Sequence, residues 1–246
     1  MYEKAKKAAK KVIPDKILKK NESFIRSLVS ARYKGGNYLC NICGFQMSKF
    51  IILENGNKLC PKCGSLPRAR RLYEFLHEEV GINGKSILHF SPSKAMSSRI
   101  GGLGPENYTT TDFEGEFEAQ EKIDITDINK EDNSYDIVIC YHVLEHIEND
   151  KKAMSELYRI MKPGGRCLIQ TPFKEGETYE DNSIKDPADR LAHFGQEDHV
   201  RIYSVDGLME RLIIGGFEVS KRHFTSTKED SQGLADNEYM LIASKK

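Results

Sequence analysis

The chain has 246 residues, 39% of them hydrophobic, which is too much for a disordered chain and enough for one full α/β domain with a smaller module. Its 37 Lys/Arg balance 37 Asp/Glu, but residues 1–39 hold 11 basic against 3 acidic side chains, leaving 26 against 34 in the remainder. The longest apolar runs, such as Ile137 to Cys140, are strand-sized rather than membrane-spanning, and no apolar segment follows the Lys-rich front, so a cytoplasmic protein is expected.

Residues 1–34 read as one or two helices interrupted at Pro14. Val12, Ile13, Ile17 and Leu18 form one apolar stripe, and Phe24, Ile25, Leu28 and Val29 a second. This basic arm, residues 1–36, either packs one face on the domain or lies peripherally on an anionic membrane surface, and the sequence leaves both open. Gly35 and Gly36 break the pattern. Behind them come Cys40-x2-Cys43 and Cys60-x2-Cys63, with a β-like run from Phe50 to Leu53 and an Asn55-Gly56 turn between the pairs. Such spacing suits a metal better than a disulfide framework. Two turns bring four thiolates to about 2.3 Å from a zinc ion, and the closed shell leaves no position for catalysis. Residues 37–68 are therefore expected to form a zinc ribbon, with structural Zn2+ on Cys40, Cys43, Cys60 and Cys63. Cys140 and Cys167 read as core strand residues.

A helix is expected over 68–80, with Arg68, Arg70 and Arg71 on a basic face, and strands then alternate with helices. Strands are read at Ser86–Phe90, Tyr108–Asp112, Lys122–Ile125, Tyr135–Tyr141, Arg166–Thr171, Phe217–His223 and Tyr239–Ser244. Helices fill 94–100, 149–161 and 204–214, and Pro163-Gly164-Gly165 reads as a helix stop. Alternation of this kind gives a doubly wound, mostly parallel α/β sheet. Its last two strands have no room for a crossover helix and form an antiparallel hairpin.

The segment Ser134-Tyr-Asp-Ile-Val-Ile-Cys-Tyr-His-Val-Leu-Glu-His-Ile147, the helix carrying Glu156, Leu157 and Ile160, and the run Pro163-Gly-Gly-Arg-Cys-Leu-Ile-Gln-Thr-Pro172 carry a family resemblance. They resemble the fourth-to-fifth-strand region of class I S-adenosylmethionine-dependent methyltransferases with a type 11-like domain. The resemblance implies a Rossmann-like seven-stranded fold over residues 69–246, with S-adenosylmethionine across the carboxyl ends of the strands. Asp112 then matches the residue that accepts from the ribose hydroxyls, and Asp124 and Ile125 match the pair near adenine, although either Asp124 or Asp127 can instead cap a turn. Phe90, Ser91 and Pro92, Phe113 beside Asp112, and Tyr141 with His142 complete the implied cofactor set. The first-strand motif, Leu88-His-Phe-Ser-Pro-Ser-Lys94, departs from the family, which places an acidic residue and glycines there.

The zinc-ribbon front, the Leu-His-Phe strand and the segment Asp198-His-Val-Arg201 further resemble proteins of bacterial surface-glycan gene clusters. That segment lies in the insertion that builds the acceptor pocket in this fold. The catalytic candidates are accordingly His199, as a base or an orienting group, Arg201, as a clamp on an anionic acceptor, and His142; a His-x-Arg run can also be a loop anchor. The implied reaction is methyl transfer to oxygen of a small-molecule or glycan acceptor, lipid-linked in one version, which would place the protein at the inner face of the membrane. Two alternatives stand beside it. One is an RNA methyltransferase with a zinc-ribbon recognition module, against which the Cys140-Tyr-His142 strand end weighs, and the other is an inactive binding module of the same fold.

Overall fold

The computed structural model describes residues 15–225 and 230–246, with side chains from residue 21 onward. The Pro14 break and the stripe at Val12 and Ile13 lie outside the described residues, and so do the side chains of Ile17 and Leu18. The chain divides into two compact units.

The first unit comprises the described residues up to Ile82, together with Ser93–Leu103 and Phe224–Glu238. It opens with one helix, α1 (Asp15–Ser30), on which Phe24 and Leu28 are 65% and 62% exposed, so the second apolar stripe faces outward instead of packing. Strands β1 (Lys34–Leu39) and β2 (Gln46–Met47) pair antiparallel, as do β3 (Ile51–Ile52) and β4 (Lys58–Leu59) around the expected Asn55-Gly56 turn. Helix α2 (Pro67–Phe75) starts on a proline, whose missing N–H costs nothing at that position. It runs on as a π turn, Leu76–Val80, and stops at Gly81, whose φ of 65° lies in the left-handed region. Helix α3 (Lys94–Gly101) is capped by Ser93, whose hydroxyl accepts from Met96 N.

The second unit, residues 83–92, 104–223 and 239–246, carries the sheet. Its strands are β5 (Ser86–Phe90), β6 (Asn107–Thr111), β7 (Tyr135–Tyr141), β8 (Met161–Gln170), β11 (Glu218–Phe224) and β12 (Glu238–Ser244), in the order β11-β12-β8-β7-β5-β6. The pairs β5–β6, β5–β7 and β7–β8 are parallel, and β12 runs antiparallel to β8. Helices α4 (Asp150–Ile160) and α6 (Val205–Ile214) fall where expected. The insertion after β8 holds β9 (Tyr179–Glu180), α5 (Pro187–Phe194) and β10 (Arg201–Ile202). Leu88, Val138, Cys140, Cys167 and Ile169 of the central strands pack with Met154, Leu157 and Ile160 of α4 in one core, which places Cys140 and Cys167 as the sequence predicts.

Two expectations need correction. Among the described residues the sheet has six strands rather than seven, because Glu121, just ahead of the run 122–125, makes a single parallel bridge to Thr111 and the run itself turns back at Asp124↔Asp127. Ile123 and Ile125 still point into the core, which is why the alternation reads as a strand. The backbone, however, is captured by side chains: Ile123 N donates to Thr111 Oγ1, and Thr126 N and Oγ1 donate to Asp124 Oδ1 at 2.8 Å. The second correction concerns Pro163-Gly-Gly165, which lies inside β8 rather than ahead of it. A Cβ at Gly165 would stand 2.8 Å from Lys162 O and 3.2 Å from Asp136 O, so only glycine lets the strand pass.

Candidate active site and cysteine cluster

Strand order reverses at β5: the chain leaves β5 for β6 on one side and reaches β7 on the other. In open α/β sheets such a point forms a crevice at the carboxyl ends of the strands, where ligands bind. Phe90 pairs with Thr111, so Ser91 and Asp112 stand at neighbouring strand ends, and Ser91 N donates to Thr111 O at 2.6 Å. Tyr141 ends β7 on the other flank. Two non-glycine residues here take left-handed backbone, Ser91 at φ 48° and His142 at φ 55°. L-residues rarely adopt that conformation, and it persists only where surrounding structure enforces it. Ser91 thus holds the turn for which the resembled family uses glycine.

Asp112 is buried, with Oδ2 accepting from Phe117 N at 3.2 Å across the loop that carries Phe113 and Phe117 outward. The side chain of Phe90 belongs to the core, as does that of Ile125, leaving only their backbones for a ligand. Asp124 is exposed and caps the turn to Thr126, one of the two roles the sequence left open. Within β5, His89 is fully enclosed, with Nδ1 2.9 Å from the Tyr108 hydroxyl. Burial pulls its pKa down to about 3, so it is neutral.

The histidines gather behind β7. His142 Nδ1 lies 3.2 Å from Glu145 Oε1, His146 Nδ1 lies 3.0 Å from Asp198 Oδ2, and the His146 and His199 rings meet edge to face at 4.6 Å. His199 is buried, with Nδ1 3.2 Å from Phe194 O, and burial lowers its pKa. The sequence pattern assigns no role to Glu145, which is 1% exposed at the centre of this group. An acidic residue between an apolar strand and a histidine is the signal it leaves.

Arg201, expected to clamp an anionic acceptor, directs its N–H groups to the protein instead. Its guanidinium is buried and donates to Leu144 O, Ile147 O, Glu148 O and Glu180 Oε2. Those bonds occupy four of its five N–H groups, which makes it the loop-anchor alternative. Glu180 also accepts from Arg211, and these contacts lower its pKa to about 2, Arg211 having the larger effect.

In the first unit the four cysteine sulfurs all lie within 4.8 Å of one another, Cys40–Cys63 at 3.7 Å and Cys43–Cys60 at 3.8 Å. A tetrahedron of radius 2.3 Å has an edge of about 3.8 Å, whereas a disulfide needs about 2.05 Å, so the spacing fits a tetrathiolate metal centre. Without a cation the sulfurs cannot ionise together. Hydrogen bonding from Cys43 lowers the Cys40 thiol, while bonding to Cys40 raises Cys43 and Cys60. Ser65 Oγ lies 3.2 Å from both Cys40 and Cys63 sulfurs. Arg70, 0% exposed, donates to Ser65 O, Lys58 O and Gly233 O and covers the Phe50 ring at 4.5 Å, placing positive charge beside the thiolates.

Comparison with known proteins agrees with the fold of the sheet unit. The family described as methyltransferase domain matches residues 77–169. The ubiquinone biosynthesis O-methyltransferase of Pseudomonas savastanoi pv. phaseolicola is 26% identical over 121 residues, 43% of this chain and 52% of that protein. The chain therefore spans about half the length of the curated relatives it matches first. Among solved structures, the [4+2]-cyclase SpnF superposes with a TM-score of 0.52 at 15% identity, over 71% of this chain and 80% of that one. Phosphoethanolamine N-methyltransferase 2 of Haemonchus contortus, solved with phosphomonomethylethanolamine and S-adenosylhomocysteine, gives 0.50 at 15% identity, over 71% and 53%. At these identities the likeness shows the fold alone, and the cyclase shows that the fold does not fix the chemistry. The sheet is thus Rossmann-like, as in these methyltransferase-fold structures, and residues 77–169 within the chain are similar to the methyltransferase-domain family.

Proposed function

We propose that this protein transfers a methyl group from S-adenosylmethionine to an oxygen of a small-molecule or glycan acceptor. The observation that carries the reading is the pair of left-handed, non-glycine residues Ser91 and His142, which follow the adjacent strands β5 and β7 at the strand-order reversal, with Asp112 following β6 on the other side of Ser91. Strained backbone of this kind clusters at active sites and ligand clamps. Asp112 would accept from the ribose hydroxyls. Ser91 and Pro92 would present backbone to the methionine end, and Phe113, Tyr141 and the Ile125 backbone would border the remainder. The bound cofactor supplies an electrophilic methyl on a sulfonium, so the protein's main task is alignment. His142, whose ring stands beside Glu145 at the end of β7, is the residue placed to take the acceptor's proton, in preference to the buried His199.

A cleft of about 980 Å3 between the start of α4, the insertion after β8 and α6 is lined by Glu148, Lys151, Glu177, Asn182, Glu210 and Arg211, among others; none of Ser91, Asp112, Tyr141 or His142 lines it, so it is assigned to the acceptor by its place in the insertion alone. Polar groups of both signs suit hydroxyl-rich ligands. The lining carries six acidic against four basic side chains, which disfavours a nucleic acid. Exposed Phe24, Ile25 and Leu28 on α1 support peripheral membrane contact, and no helix among the described residues is long and apolar enough to cross a membrane. The four cysteines would hold one structural Zn2+.

Calorimetric titration with S-adenosylhomocysteine tests the cofactor assignment. Asp112→Asn should weaken binding about 10- to 100-fold, the worth of charge-assisted hydrogen bonds of roughly 1.5–3 kcal/mol. Equal affinity in parent and variant would remove Asp112 from the site. No binding to either would leave a binding module on a methyltransferase scaffold.

A further inference from the structure

Glu145 is an anomaly that cofactor binding does not explain. Its carboxylate is 1% exposed, and neither oxygen has a hydrogen-bond partner; His142 Nδ1 is near Oε1 but not aligned to donate. A buried ionised carboxylate persists when a cation or several donors compensate it. Around it the chemistry is that of a metal site. Glu145, His146 and His199 each offer one ligand atom, and those atoms all lie within 4.8 Å of one another. Tetrahedral N/O ligation at 2.0–2.1 Å separates ligands by roughly 3.4 Å, so side-chain adjustment of about an ångström closes the set.

The tautomers point the same way. His199 Nδ1 faces the Phe194 carbonyl, an acceptor, so it carries the proton and leaves Nε2 with its lone pair. Nε2 is buried and has no partner. His146 Nδ1 faces the Asp198 carboxylate at 3.0 Å, which fixes the same tautomer. Metal-binding histidines characteristically donate the other ring N–H to a carbonyl or carboxylate, and both outer partners are present here. The four bonds of Arg201 to Leu144, Ile147, Glu148 and Glu180 hold the loop bearing Glu145 and His146 beside the insertion bearing His199.

We propose that Glu145, His146 and His199 bind a divalent first-row transition cation, separate from the four-cysteine site. Two imidazoles and a carboxylate leave at least one coordination position for an oxygen ligand. The cation compensates Glu145 and ties the turn after β7 to the insertion. Use of the open position by an acceptor oxygen rests on the methyl transfer proposed above; binding of the ion does not.

The test starts from full-length protein loaded with zinc and passed through gel filtration, and then titrates Mn2+, which thiolates bind poorly, following loss of the free-ion paramagnetic resonance signal. The parent should take up one Mn2+ per chain. His199→Ala and Glu145→Gln should weaken it at least tenfold, while the cysteine-bound zinc, counted by elemental analysis, stays at one per chain. His146→Ala, which removes a ring with 30% of its side chain exposed, gives the same reading if the buried variants do not fold. Absence of Mn2+ uptake by the parent, with no second zinc under excess, overturns the proposal. So does uptake that survives all three substitutions and disappears with Glu210→Gln in the acidic cleft. Neither result bears on S-adenosylhomocysteine binding, which is read separately.

Discussion

In the cysteine-bearing unit, one backbone pattern occurs twice. Cys40 N donates to Phe45 O and Gly44 N to Cys40 O; Cys60 N donates to Ser65 O and Gly64 N to Cys60 O, with both glycines left-handed. Everything that builds one knuckle lies within six residues. At the switch point of the sheet unit, Ser91, Asp112 and His142 lie 21 and 30 positions apart in the sequence, and only strand order brings their elements together. The first site is local and written in spacing, whereas the second is a product of topology. A local metal site should therefore fail all at once when one ligand is lost, and a topological site should degrade one contact at a time.

The largest expected effect follows directly. Cys60→Ser, or removal of the metal by a strong chelator, should destabilise β1 to β4 and α2 by 5 kcal/mol or more on an order-of-magnitude scale, since tetrahedral zinc contributes roughly 10–16 kcal/mol to folding of small fingers. Thermal unfolding with parallel zinc analysis and amide exchange reads it. An unchanged transition in metal-free protein would falsify the structural-zinc assignment.

The two units also carry buried titratable groups whose effects on stability run in opposite directions with pH. Glu238, in the cysteine-bearing unit, is raised from 4.5 to about 7 by burial, despite Arg71, Arg68 and Arg70 nearby. Its folded form binds the proton more tightly than the unfolded form, so stability falls as pH rises from about 4.5 to 7, by about 3 kcal/mol in total. His89, in the sheet unit, is lowered to about 3 by burial, so its contribution is complete above about 6.5 and is lost as pH falls toward 3, by an amount on the order of 4–5 kcal/mol. His89→Gln should flatten the acid limb, and Glu238→Gln should raise stability at pH 8 while leaving pH 4 nearly unchanged. Urea midpoints across pH measure both. Parallel curves for parent and variant would show that neither group is held as described.

What the sequence conveyed follows the same division. The knuckles, the β3–β4 turn and the buried strands β5 and β7 were legible, because cysteine spacing, Asn55-Gly56 and unbroken apolar runs each have one economical structure. The third strand misled because Ile123 and Ile125 alternate correctly while Asp124 and Thr126 close a turn that no apolar pattern reveals. Asp112 at its strand end could be read from the family resemblance. Nothing in Ser91 announces a left-handed backbone, since the usual marker, glycine, is missing. Arg201 read as a ligand clamp because its carbonyl partners at 144, 147 and 148 are more than fifty residues away, and a buried Glu145 cannot be inferred from Leu-Glu-His without the insertion that covers it.

The smallest effect separates two roles for Asp124. Its Oδ1 accepts both Thr126 N and Thr126 Oγ1, so Asp124→Ala should cost about 1 kcal/mol of stability through the turn, in the range of a lost cap or single hydrogen bond. If the turn is its main work, S-adenosylhomocysteine affinity should fall less than threefold, well short of the loss in Asp112→Asn. A loss equal to that of Asp112→Asn would return Asp124 to the adenine contact implied by the resemblance. The switch-point site would then draw on a fourth stretch of chain, making it still more dependent on topology than the knuckles are.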